Sequence, residues 1–142
     1  MIEVELSPEP VLGLYLHVAY MTIMSTFDRD VGKGEITPNM IGALSVLKQH
    51  PGISQADLAR MIGIERVTVG VTVSRAVAAG FVRREHASHD ARSYALHLTA
   101  RGQEMLKALR RRIPLHERAF SWRLSAEERI QLRTLLNKLV FG

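Results

Sequence analysis

The stretch that most constrains this chain covers residues 54–98. It opens with Ser-Gln-Ala-Asp-Leu-Ala-Arg-Met-Ile-Gly-Ile and continues over 65–80 with apolar residues at helical spacing. It closes on Arg-Arg-Glu-His-Ala-Ser-His-Asp-Ala-Arg between two alternating segments. This pattern predicts two short helices joined by a tight turn and followed by a β-hairpin. Ser54 can accept a bond from the free N–H groups of the next turn, and Asp57 stands three residues on, so a helix opens at Ser54. Leu58, Ala59 and Ile62 form its apolar face. Gly63 can take positive φ, which ends the helix and returns Ile64 to the core.

The next helix starts near Glu65. Val69, Val73, Ala76 and Val77 fall along one stripe, and Thr68, Val71, Thr72 and Arg75 along another. An ordinary solvated face would carry Lys and Glu. Small hydroxyls, a branched methyl surface and guanidinium groups, with Arg66 at the helix start, instead suit a major groove lined by thymine methyls, base edges and phosphates. The bland alternative is a core helix with a weakly charged outside. Segments starting at Phe81 and Ser93 then alternate as strands, with Tyr94, Leu96 and Leu98 expected to face inward. The loop between them holds His86, Ser88, His89, Asp90 and Arg92. Asp90 is close enough to orient Arg92, and an arginine at a hairpin tip can enter a minor groove. Read blandly, the pair is an exposed salt bridge of little worth. The residues expected to contact DNA are Ser54, Gln55, Arg66, Thr68, Val71, Thr72, Arg75, Arg84, His86, Asp90 and Arg92.

The order of Ile36-Thr37-Pro38, Leu58-Ala59, Ile64, Thr68-Val69, Gly80-Phe81-Val82, Arg84, Asp90-Ala-Arg92 and Leu98-Thr99-Ala-Arg-Gly102 resembles the MarR family of winged-helix transcription regulators. The likeness spans residues 36–102. It implies a dimeric regulator that binds pseudo-palindromic double-stranded operators and is often released by a small, frequently aromatic, effector. Three positions depart from the family pattern. Ala91 stands where many relatives carry a charge between the wing Asp and Arg, Ser74 where an acidic residue is common, and Ala76 where Leu is common.

The flanking sequence is helical in pattern. Over 10–30, Pro10 suits a first turn, and apolar residues surround the helix on nearly all sides. A chain of 142 residues has little with which to cover such a helix, so burial in a partner subunit is expected. Val31-Gly-Lys-Gly-Glu should break it. Thr37 and Pro38 should open a second helix with Met40, Ile41, Leu44 and Leu47 inward. Thr99 should cap a long basic helix reaching toward Arg118, kinked or broken at Pro114. Ser125-Ala-Glu-Glu128 is a capping box, and Ile130, Leu132, Leu135, Leu136, Leu139 and Val140 follow it as a stripe too apolar for a lone terminal helix. The expected fold is therefore mainly α. A winged helix-turn-helix lobe over 36–98, with three helices and a hairpin wing, is flanked by dimerisation helices over 1–35 and 99–142.

Charge is uneven along the chain. Residues 1–60 hold four Lys and Arg against seven Asp and Glu, residues 61–100 five against three, and residues 101–142 ten against four. The basic middle and end favour a polyanionic partner, although Arg110-Arg111-Arg112 point in different directions around a helix and read as a solvated face. There is no cysteine, hence no disulfide or thiol switch. No apolar run approaches a membrane span and Met-Ile-Glu-Val-Glu-Leu lacks a basic start, so a soluble, cytoplasmic protein is expected. The six histidines form no obvious metal motif. There is no Gly-rich phosphate loop, no Gly-x-Ser-x-Gly and no paired carboxylates, so neither catalysis nor a cofactor is expected. A winged helix used only to dock proteins remains the alternative function.

His17, Tyr20, Met21, Met24 and Phe27 lie near one side of the first helix, with Met40 and Leu44 on the second. The family resemblance implies a pocket between the dimer-forming helices and the DNA-binding lobe. A lining of this kind would suit a flat aromatic or phenolic effector, or its thioester. Plain core is the alternative for the same stripe.

Overall fold

The computed structural model describes residues 11–87 and 90–142. Its elements in chain order are α1 (Leu12–Phe27), a π-helical turn (Asp28–Gly32), α2 (Pro38–Gln49), α3 (Gln55–Ile62), α4 (Arg66–Ala78), β1 (Val82–Ala87), β2 (Asp90–Leu98), α5 (Ala100–Phe120) and α6 (Ala126–Phe141). Pro10, expected in the first turn, lies outside the described residues, as do Ser88 and His89.

The caps form where the sequence places them. Thr37 accepts the Met40 N–H at 3.3 Å, with Pro38 in the first turn. The Ser54 hydroxyl accepts the Asp57 N–H at 3.1 Å and donates to the Asp57 carboxylate at 2.9 Å. Gly63 ends α3 at φ 76°, the left-handed region where a side chain is strained. Ser125 and Glu128 complete the reciprocal box at the start of α6. The expected break after α1 is delayed by one wide turn, and the chain then reverses through Lys33 at φ 49° and Gly34 at φ 78°.

Met40, Leu44, Leu47, Leu58, Val69, Val73, Phe81 and Leu96 are the centre of the core. This core does not stop at residue 98: Gly102, Met105, Leu106 and Leu109 of α5 belong to it. The hairpin is antiparallel, with Val82 opposite Leu98 and His86 opposite Tyr94. The segment before α3 adds a short third edge. Ser54 bridges Ala95, the Leu96 N–H donates to the Ile53 carbonyl at 3.0 Å, and the Gly52 N–H to the Leu96 carbonyl at 2.8 Å. The wing root is thus stitched to the start of the helix-turn-helix.

Of the kink or break expected at Pro114, the break does not occur: α5 continues through the proline to Phe120. The second half of α5 holds the end of α1. Arg112 donates to the Val31 carbonyl at 3.1 Å, and buried His116 lies 3.2 Å from the Asp30 carboxylate and edge-on to Phe27. Hydrogen bonds from Arg29 and then His116 hold the Asp30 carboxyl below its ordinary value. No residue of α6 is buried, and α1 exposes Leu12, Leu14, Tyr15, Val18, Tyr20 and Met21. The chain presents 10351 Å² of accessible surface, against about 7400 Å² for a compact monomer of this mass.

One close approach fixes where α5 leaves the wing. A Cβ at Gly102 would lie 2.2 Å from the Phe81 carbonyl oxygen, and that oxygen already accepts the Thr99 N–H at 3.0 Å. Backbone cannot yield there as a side-chain tip would. Gly102→Ala is expected to cost about 2–3 kcal/mol and to lower the melting temperature by several degrees; an unchanged melting curve would contradict the packing.

Candidate nucleic-acid interface

Helix α4 is held by its back. Val69, Thr72, Val73 and Ala76 are buried, and the opposite side presents Val67, Val71, Ser74 and Ala78, with Arg66 and Arg75 exposed beside them. Thr68 is half-buried. This rotates the outward face by about one residue from the sequence expectation, and Thr72 must be corrected: it is only 6% exposed. Its hydroxyl donates to the Thr68 carbonyl at 2.8 Å. With its polar atom satisfied inside its own helix, threonine packs much as a branched aliphatic residue would. Val67 was missed for the converse reason. An apolar residue is assigned inward by default, although its spacing of four from Val71 places both on one crest.

Around this face the other expected residues take distinct places. Gln55, in the first turn of α3, carries its amide beside Gly70 of α4. Ser54 is half-buried and its hydroxyl caps α3, with its proton donated to the Asp57 carboxylate. The Asp57 carboxyl is held below its ordinary value, first by this bond and then by Arg60. Arg84 donates to Ser74 at 3.1 Å, tying β1 to the outer side of α4. A concavity of about 290 Å³ lies between Thr37 and Asn39 at the start of α2 and Val67, Thr68, Val71, Thr72 and Arg75. Asn39 had no signal in the linear sequence.

The hairpin is longer than expected, so His86, Asp90 and Arg92 belong to strands rather than to a loop. Asp90 pairs with Ala87 across the turn; its side chain lies outside the described residues, and the expected Asp90–Arg92 contact with it. Arg92 is exposed. Tyr94, expected inward, is 42% exposed and covers His86 with ring centroids 4.7 Å apart. Leu96 and Leu98 reach the lobe, whereas Tyr94 sits where the wing has outgrown it.

The expected effector residues do not share one cavity. His17, Tyr20 and Met21 are exposed and Met24 is half-buried. Phe27, Met40 and Leu44 are closed into the core. The stripe on α1 runs past the lobe, and only its C-terminal end packs there. A separate cleft of about 480 Å³ opens between α2 and α5, lined by Ile41, Ser45, Lys48, Gln49, Leu106, Leu109, Arg110, Ile113 and Pro114. Arg110 faces this cleft and Arg112 the π-helical turn, so the arginine run does diverge. Among the described residues no three His, Cys, Asp or Glu side chains converge on a metal position, and no helix is long and apolar enough to cross a membrane.

The MarR family profile matches residues 35–93. A putative transcriptional regulatory protein for the hcr operon of Thauera aromatica is 31% identical over 129 residues, covering 90% of this chain and 78% of that one. Among solved structures, the transcriptional repressor CouR bound to a 23-mer DNA duplex is similar at a TM-score of 0.82 and 25% identity, over 91% of this chain and 92% of that one. The PcaV transcriptional regulator of Streptomyces coelicolor, in complex with its natural ligand, is similar at 0.80 and 25% identity, over 100% and 99%. At this identity and coverage, and with the family profile matched, the chain belongs to the MarR family, whose members are transcription regulators and not enzymes.

Proposed function

We propose that two copies of this chain join through α1, α5 and α6 and bind a pseudo-palindromic operator as a repressor, which a small aromatic effector releases. The observation that carries the DNA reading is the outward face of α4. It is an ordered, well-anchored surface with two arginines, two valines and no carboxylate, beside an arginine-bearing wing. In such a dimer each α4 enters a major groove, with the grooves one helical turn apart, and each wing lies over the adjoining minor groove. Arg66, Thr68, Val71 and Arg75 then face bases and phosphates, Gln55 supports α4 from α3, and Arg84, His86 and Arg92 serve the wing. The comparison with a repressor bound to duplex DNA supports this reading.

Dimerisation rests on the apolar surface of α1 and α6. Surface of that extent is rare on a monomer, and a two-fold partner offering the same helices would cover it. The division into dimerisation helices over 1–35 and 99–142 and a DNA-binding lobe over 36–98 is functional in this scheme, since the first half of α5 shares the lobe's core.

The effector seat is the cleft between α2 and α5 rather than the stripe on α1. Its floor is apolar, and Lys48 and Arg110 stand at its edge to meet a carboxylate, phenolate or the polar portion of a thioester. Helix α2 contributes to both clefts, Ile41, Ser45 and Lys48 to this one and Thr37 and Asn39 to the one beside α4. A ligand that moves α2 against α5 therefore alters the spacing of the two recognition helices. The comparison with a regulator solved with its natural ligand supports a ligand-responsive reading.

Electrophoretic mobility shifts on selected operators test the DNA face. Arg75→Ala is expected to weaken binding by about 1–3 kcal/mol if it reads a base, and Arg92→Ala to lower the log–log salt slope by about one. Thr72→Val should leave affinity unchanged; unchanged affinity in both arginine variants would refute the assigned face. Sedimentation equilibrium should give a dimer at micromolar concentration, and Leu135→Asp together with Leu139→Asp should give monomers that lose operator binding. Hydroxylated aromatic acids and their thioesters should raise the melting temperature and release DNA, with Arg110→Ala blunting both effects. A panel without response would remove the effector from the scheme.

A further inference from the structure

Among the described residues of the lobe, the most exposed large apolar side chain is Val67, at 77%, and Val71 follows one turn later at 56%. Neither contributes to the core, and β-branched residues cost helix propensity wherever packing does not repay it. A solvated crest has no use for two of them. They are bracketed by the exposed guanidinium groups of Arg66 and Arg75, and Ser74 on the same crest is held by Arg84. The patch is thus an apolar ridge inside a cationic frame, which suits an anionic duplex rather than an apolar protein groove.

The major groove offers one methyl group on a base pair, at C5 of thymine; apart from the small C5–H of cytosine, the other groups exposed there are donors and acceptors. A valine seated against such an edge would leave it desolvated and unpaired. Four residues of helix advance about 6 Å, close to two base-pair steps of roughly 3.4 Å. We infer, on the reading of α4 as the DNA-facing helix, that Val67 and Val71 select thymine methyl groups, so that each operator half-site carries thymines about two steps apart beneath this crest. Specificity here comes from shape and exclusion at the centre of the face, while the arginines anchor its margins.

The test uses the full chain. Operators are selected from randomised duplexes, and each thymine of a half-site is replaced by deoxyuridine, which removes only the methyl group and keeps the pairing edge. Affinity is expected to fall about fourfold at each contacted position, and roughly 15-fold when both symmetric positions are changed. The Val67→Ala protein should no longer sense deoxyuridine at one of these positions, nor Val71→Ala at the other. Both side chains are exposed, so the variants should melt as the parent does, and the deoxyuridine arm with unaltered protein stands independently of them. An operator equally well bound with deoxyuridine throughout overturns this inference while leaving the DNA reading intact. An equal deoxyuridine loss in parent and variants also overturns it. Failure to select any duplex overturns the DNA reading and this inference together.

Discussion

The rotational setting of α4 is the constraint on which everything else depends. Val69, Thr72, Val73 and Ala76 lock its back against α2, α3 and the root of the wing, and that lock decides which side chains a partner can touch. Helix propensity does not hold this segment, since five valines and two threonines among its thirteen residues are all β-branched. Burial does. Fixing such a helix by packing gives a rigid reading surface, which a loop or a frayed helix would not provide.

The same packing joins the lobe's parts into a unit. The cap at Ser54, the short pairing of residues 52–54 with β2, and the bond from Arg84 to Ser74 tie α3, the wing and α4 to one another. None of these contacts is strong singly, and exposed polar contacts rarely are. Together they leave the wing little freedom to move independently of the recognition helix. Helix α5 begins against this unit at Gly102 and ends against the π-helical turn through His116 and Arg112. One helix therefore spans from the core of the lobe to the apolar arms.

Those arms, α1 and α6, are where a single chain is energetically incomplete. Among the described residues, apolar side chains over the first part of α1 and along all of α6 stay exposed, so the free energy of burying them is available only through association. In the proposed dimer, operator geometry would follow whatever alters the angle between arms and lobes, and α2 lines both clefts.

Much of this was legible in linear sequence because it rests on local physics. Ser54, Thr37, Thr99 and Ser125 mark helix starts through their own hydroxyl groups, Gly63 marks an end through its backbone freedom, and the strand alternation after Phe81 marks the wing. The uncovered character of α1 and α6 could also be read, since it follows from counting apolar residues against the chain available to bury them. Tertiary structure alone decided the rest. Thr72 turned inward because packing of α4 against its neighbours buries that side, and its hydroxyl is satisfied there by a carbonyl one turn back. Val67 turned outward because the buried sector is set by neighbours distant in sequence. Tyr94 came to rest on His86 because the hairpin extends beyond the core. Met40 and Leu44 closed into the core, and the cleft opened instead beside Lys48 and Arg110, where α2 meets a helix more than fifty residues away. Local sequence specifies which elements form and where they start and stop; which face of each element is covered depends on its neighbours in space, and only packing determines that.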